Sequence, residues 1–124
     1  MNLTADEALV ARLLAAVGGD VPMAEAVRML APDVICHMDR YTVHGAGTWV
    51  AWVEFIRSRG VENLKVQVDR YETGADGTIT ALGSLTGGPE GASVPRGRRT
   101  RGGTARYRVV DNQIVEILDK SVEL

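Results

Sequence analysis

Residues 33–52 change hydrophobic period midway, from that of a strand to that of a helix. They also carry the chain's only two histidines, its single cysteine and both tryptophans. Residues 34–41 read as a strand. Its side chains alternate, so Ile35, His37, Asp39 and Tyr41 share one face while Val34, Cys36, Met38 and Arg40 share the other. His44-Gly45-Ala46-Gly47 breaks the strand. Trp49, Trp52, Val53 and Ile56 then fall at i, i+3, i+4 and i+7, one face of a helix. A polar strand end, with an imidazole and a carboxylate on one side, is thus delivered straight into an aromatic helix.

The flanking segments fill in an α+β order. Thr4-Ala5-Asp6-Glu7 is a capping box ahead of a helical face of Leu9, Val10, Leu13, Leu14 and Val17, which Gly18-Gly19 ends. Asp20 is placed to cap a second, shorter helix with Pro22 in its first turn and Ala24, Val27, Met29 and Leu30 inside, and Ala31-Pro32 stops it. After Gly60, Leu64, Val66 and Val68 alternate with Lys65, Gln67 and Asp69, a half-buried strand running to about Glu72. Residues 73–77 are turn chemistry and residues 78–86 the return strand. Residues 87–103 hold six glycines, two prolines and four arginines and read as a long hairpin loop. Residues 104–110, the turn Asp111-Asn112 and residues 114–120 form a last hairpin. The expectation is one domain spanning residues 1–124: three helices mixed with one strand, then a curved antiparallel sheet that wraps the long 48–58 helix as a cone.

Three stretches carry a family resemblance. The strand ending in His37 and Asp39, followed by Gly45 and the aromatic helix, resembles the core of the NTF2-like superfamily, in particular its SnoaL-like polyketide cyclase and ketosteroid-isomerase-like branches. Residues 94–99, Val-Pro-Arg-Gly-Arg-Arg, resemble the Pro-x-Gly-Arg-Arg hairpin of those proteins. Residues 107–116, Tyr-Arg-Val-Val-Asp-Asn-Gln-Ile-Val-Glu, resemble their closing hairpin. The likeness implies the cone fold, a small-molecule substrate and no cofactor.

Bulk properties exclude several classes. Lys plus Arg number 14 against 16 Asp plus Glu, a net charge of -2 that gives no overall pull toward nucleic acid or an anionic membrane. One cysteine forms no intramolecular disulfide, and an acidic N-terminal segment where a secretory signal would be basic points to the cytoplasm. No apolar run reaches the roughly 18 residues of a membrane span. Two histidines without a cysteine or carboxylate at ligand spacing make no metal site, and no phosphate-binding glycine motif occurs.

The chemistry-bearing candidates are few. Val115, Ile117 and Asp119 share a parity, which places a carboxylate beside two apolar residues, and burial raises a carboxyl pKa toward the range of proton exchange near neutrality. The resemblance gives Asp119 the acid/base role. By the resemblance Asp39 sits near where the ketosteroid-isomerase-like branch has its general base, with a shorter spacing to Gly45, and His37 on the same face could relay a proton. Tyr41, His44, Trp49 and Trp52 are candidates for the mouth of a pocket, with Tyr71 and Tyr107 at its core or rim. Cys36, of opposite parity, reads as a buried filler. The steroid isomerases' oxyanion partners are missing, since the first helix has no Tyr and Ala105 stands at the second acid's place. The Arg-x-Asp of epoxide hydrolases is replaced by residues 81–85, Ala-Leu-Gly-Ser-Leu.

The resulting expectation is a cofactor-free acid/base enzyme, a cyclase, isomerase or dehydratase acting on a polyketide-like or cyclic small molecule. Its rivals are an epoxide-opening hydrolase or cyclase and a non-catalytic binding or dimerisation module. Three structural expectations follow. Trp49 or Trp52 is buried. Asp119 and the His37/Asp39 pair face one cavity, and if they lie on opposite surfaces of the sheet the pair dissolves and the binding module leads. Thr80, Leu82, Ser84, Arg106, Arg108 and Val110 form the outer surface of a homodimer, with the arginine cluster at residues 96–108 a solvated or interface loop.

Overall fold

The computed structural model describes residues 3–38, 42–58, 65–87 and 99–119, with backbone alone for residues 56, 57, 65, 84–87, 99–104 and 119. Among the described residues the order is α1 (Ala5–Val17), α2 (Met23–Met29), β1 (Leu30–His37), β2 (Thr42–His44), α3 (Ala46–Ser58), β3 (Lys65–Thr73), β4 (Ile79–Gly87), β5 (Arg99–Val110) and β6 (Gln113–Asp119). The strands form one open sheet in the order β2-β1-β6-β5-β4-β3. β3 to β6 are the expected meander. β1 joins its end in parallel with β6, and the short β2 pairs antiparallel with β1.

Local chemistry explains the helix ends. Thr4 Oγ1 accepts from the Glu7 N–H (3.0 Å) while the Thr4 N–H donates to Glu7 Oε1 (3.1 Å), closing the capping box. At the other end of α1 the Gly19 and Asp20 N–H groups return to the Ala16 and Ala15 carbonyls, the bonding of a Schellman stop. α2 departs from expectation: its N-cap is Pro22, with no side-chain cap bond from Asp20. α3 starts from Gly45, whose φ of 94° is a left-handed conformation that any Cβ would oppose. From there the Gly45 N–H donates to the Val34 carbonyl (2.7 Å), fastening the start of α3 to the middle of β1.

The core lies between the helices and one face of the sheet. α1 packs on β3 and β4, whereas α3 packs on β1 and β2 with α2 alongside. Val10, Leu13, Ala16, Ala26 and Leu30 meet Ile79, Tyr107, Ile114 and Ile117 there, all essentially without exposure. Trp49 is 4 % exposed and Trp52 half-buried against the same cluster, so the aromatic stripe is core as its spacing implies. Ile56 lies outside the described side chains.

The strand boundaries revise the sequence reading in two places. β1 runs from Leu30 to His37 and not over residues 34–41, and the sequence reading does not contain β2. The region read as a loop over residues 87–103 is strand at its end, because β4 reaches Gly87 and β5 begins at Arg99. Here pairing with a neighbouring strand, not composition, governs: Arg-Thr-Arg-Gly-Gly-Thr pairs in unbroken register with β4. Residues 88–98, with Arg96 and Arg98, lie outside the described residues.

Curvature enters at bulges. β3 and β4 shift register between Val68 and Arg70, and across that shift a Cβ on Gly83 would stand 2.0 Å from the Gln67 carbonyl oxygen and 2.8 Å from Val68 Cα. Only glycine lets β3 bend this closely over β4. β5 and β6 shift again between Arg108 and Val109, and the Asp111-Asn112 turn has both residues at positive φ, 51° and 63°, the mirror-type turn of a tight hairpin. Gly83→Ala is expected to destabilise the domain by roughly 2–3 kcal/mol, the upper range for an overpacked site. Urea unfolding measures it, and a midpoint unchanged from wild type would show that β3 does not approach β4 as described.

Candidate functional site

Register assigns every sheet residue to a face. One row crosses five strands as Ile79, Tyr107, Ile117, Cys36 and Val43, and each member is at most 7 % exposed. This is the inner face, the side the helices cover. The next inner row is Tyr71, Ala81, Ala105 and Asp119. Ala81 and Ala105 are 6 % and 8 % exposed and Tyr71 is half-buried. A phenol and a carboxylate position thus stand at the ends of a row whose middle holds only methyl groups, about 14 Å apart at about 4.8 Å per strand. The backbone of Asp119 has the inner register expected from Ile117; its side chain lies outside the described residues.

His37 is on the other face. It pairs with Leu118, and the outer row reads Glu72, Thr80, Arg106, Leu118, His37 and Thr42. His37 Nε2 and Glu116 Oε2 share a hydrogen bond at 2.9 Å, and Arg108 Nη1 donates to Glu116 Oε1 at 3.5 Å. The His37 and Glu116 side chains are 41 % and 38 % exposed, so this is a solvated pair, worth less than about 1 kcal/mol. The expectation that His37 and Asp119 face one cavity is therefore corrected: β1 directs Val34 and Cys36, 0 % and 1 % exposed, into the core, which turns Ile35 and His37 outward. Asp39 lies outside the described residues.

The other candidates divide similarly. His44 is exposed, opposite Ile35 on the outer face, and so does not line the inner face. Tyr41 lies outside the described residues. Trp49 and Tyr107 are buried core members, at 4 % and 2 % exposed, and Trp52 is half-buried. Cys36 is buried filler, as expected. Among the described residues no cluster of three or more His, Cys, Asp or Glu could hold a metal ion, and no helix is long and apolar enough to cross a membrane.

Tyr71, which the sequence places at core or rim, belongs to the inner row. Simple alternation from Val66 and Val68 would turn it outward, but the bulge at Asp69 shifts parity and brings Tyr71 and Thr73 onto the face of Val68. Thr73 Oγ1 donates to Glu7 Oε2 at 2.7 Å, so the capping-box glutamate also ties α1 to the end of β3. Glu7 is 8 % exposed, the single buried charged residue among those described. The Thr73 hydroxyl, then the Thr4 amide, hold its carboxyl below the ordinary value of 4.5. Burial, and secondarily the Glu7 charge, push the Tyr71 phenol above its ordinary 10.0, which keeps it a neutral donor in the physiological range.

No family model matches the chain and no curated protein matches it. Solved structures do. A protein from Shewanella putrefaciens CN-32 described as a SnoaL-like polyketide cyclase is 12% identical, with a TM-score of 0.79 over 96% of this chain and 90% of that one. A Catenulispora acidiphila protein with a ketosteroid isomerase-like fold, in complex with trimethylamine, is 19% identical, with a TM-score of 0.74 over 89% and 82%. TerC, co-crystallised with polyporic acid, is 10% identical, with a TM-score of 0.77 over 96% and 92%. The fold is accordingly the NTF2-like α+β cone.

The Glu7 arrangement predicts a pH dependence. A depressed folded pKa contributes stability that is present above the unfolded value and is lost as pH falls through the folded one. In thermal melts between about pH 6 and about pH 3, the melting-temperature advantage of wild type over Glu7→Gln should shrink as pH falls. An advantage that stayed constant or grew would contradict the hydrogen bonds to Glu7.

Proposed function

We propose that this chain binds a small cyclic or polyketide-like molecule on the inner face of its sheet, in the row of Tyr71, Ala81, Ala105 and Asp119. The observation that carries this is the pair of alanines between two polar positions, Ala81 on β4 beside Ala105 on β5, where β5 lies between the strands covered by α1 and those covered by α3. Small side chains suit a flat ligand laid against the sheet, and polar groups at the two ends of the row would orient it. Support comes from the shared fold, since two similar structures hold trimethylamine and polyporic acid. With His37 on the outer face, the binding reading takes precedence over the two-sided acid/base pair.

A second reading, acid/base catalysis by Asp119 acting singly, is favoured by one observation: the last strand carries that carboxylate position into the inner row opposite a neutral phenol. In that reading Asp119 takes a proton from a carbon acid and returns it, and Tyr71 donates to the developing enolate oxygen. Cyclisation, isomerisation or dehydration all begin with that step. No cofactor is required for it.

We also propose that the outer face pairs two copies of the chain. Thr80, Leu82, Arg106, Arg108 and Val110 lie on it, with Val110 46 % exposed, a mixed surface suited to an isologous contact. Light scattering at tens of micromolar, where an ordinary interface is populated, should report a dimer. A monomer there would remove the proposal.

The binding reading is tested by screening cyclic polyketide-like compounds for thermal stabilisation. Compounds that raise the wild-type melting temperature should lose that effect in Ala105→Leu, and equal stabilisation of both proteins would contradict the site. For a bound compound with an acidic C–H, deuterium exchange in heavy water separates the second reading. Asp119→Asn should slow it by roughly 100-fold or more, the usual contribution of a general base, whereas unchanged exchange with intact binding leaves a binding module.

A further inference from the structure

The inner face does not end at the alanine row. β4 and β5 pair without a register break from Ile79 opposite Tyr107 to Gly87 opposite Arg99, so the parity set by the buried residues carries to the far end of both strands. Successive inner positions of β5 are Tyr107, Ala105, Gly103, Arg101 and Arg99, facing Ile79, Ala81, Gly83, Leu85 and Gly87 of β4. The outer positions of the same stretch are Arg106, Thr104, Gly102 and Thr100. This inverts the ordinary alternation of a sheet with one solvated face, which puts apolar groups inward and charges outward. Threonine takes the outer register at positions 100 and 104, and arginine the inner one at 99 and 101.

Charge balance sharpens the point. The inner register of β3 is Val66, Val68, Tyr71 and Thr73, and that of β4 contains no ionisable residue. Among the described strands, the nearest inner carboxylate position is Asp119, opposite Ala105. It lies four residues along β5 from Arg101, about 13 Å at about 3.3 Å per residue. Two positive residues thus hold neighbouring inner positions, with no acid in the inner register of the adjoining strand, in a chain whose net charge is -2. On the outer face, by contrast, Arg70 pairs with Glu72 at 3.2 Å and Arg108 with Glu116.

We infer that Arg99 and Arg101 form an anion-recognition end of the inner-face site, and that its ligand is an apolar ring system carrying an acidic oxygen group such as a carboxylate or sulfonate. The inference rests on the proposed inner-face binding site and names the chemical class it accepts. Guanidinium groups meet such oxyanions through charge-assisted, often bidentate hydrogen bonds. An apolar row beside a cationic end selects an amphipathic acid over its neutral analogue.

The test compares two probes that share an aromatic skeleton and differ in one sulfonate: 8-anilinonaphthalene-1-sulfonate and N-phenyl-1-naphthylamine. Fluorescence titration of the full chain should show the sulfonate bound about tenfold or more tightly, the scale of one charge-assisted contact. Arg99→Gln/Arg101→Gln should abolish that preference while leaving the neutral probe's affinity unchanged. Arg99→Lys/Arg101→Lys should keep most of it, and Arg106→Gln on the outer face should keep all of it. The lysine and Arg106 variants retain the test if the glutamine variant fails to fold. A preference that survives loss of both arginines, or one that disappears with Arg106→Gln, overturns the inference. Equal binding of the two probes to wild type overturns it but leaves the inner-face site standing. Binding of neither probe overturns both.

Discussion

The row Ile79, Tyr107, Ile117, Cys36 and Val43 is the contact on which the rest of the molecule depends. It crosses five strands at one level of the sheet, and none of its members is more than 7 % exposed. Burial of side chains of this size contributes about 1.5–3 kcal/mol each, far more than the solvated ion pairs between His37 and Glu116 or between Arg12 and Glu25. Strand side chains alternate strictly between bulges. Once this row is committed to the core, every other sheet residue has its face assigned.

The division of the candidate residues between the two faces follows from that assignment. Asp119 falls two residues beyond Ile117 and takes its face, while His37, one residue beyond Cys36, takes the other. Slipping β1 by a single residue would bring His37 inward, but it would also expose Cys36 and Val34 and bury a histidine that now meets solvent and Glu116. The apolar pair wins that competition. The imidazole therefore belongs to the outer surface together with Arg106 and Arg108, and the inner face keeps a phenol, a carboxylate position, two alanines and two arginine positions.

Much of this was legible in the sequence, and the errors share one cause. Both helices that flank the core, the tryptophan stripe, the Thr4/Glu7 box, the Asp111-Asn112 turn and the four-strand meander follow from local periodicity and capping chemistry. What local pattern does not supply is parity across a bulge, or the face of a strand with apolar residues on both sides. Taking Ile35 as core turns His37 inward, whereas Val34, Cys36 and Met38 give the opposite parity more apolar residues. Simple alternation turns Tyr71 the wrong way because an extra residue at Asp69 reverses the count, and the start of β5 reads as loop because its arginines and glycines resemble one. Each of these is settled by pairing with a distant strand, a long-range constraint absent from any window of sequence. The resemblance to NTF2-like proteins anticipated the fold, and the fold carries no reaction with it.

The central claim is that ligand binds the inner face, over the alanine row, and not the outer face that carries both histidines. Methyl-resolved NMR of the full chain, labelled at alanine, isoleucine and leucine and titrated with N-phenyl-1-naphthylamine, tests it directly. The account predicts concentration-dependent shifts and intermolecular contacts at the Ala81 and Ala105 methyls, with Ile35 and Leu118 unmoved. Shifts confined to Ile35 and Leu118 would place the ligand beside His37 and Glu116 and would contradict it.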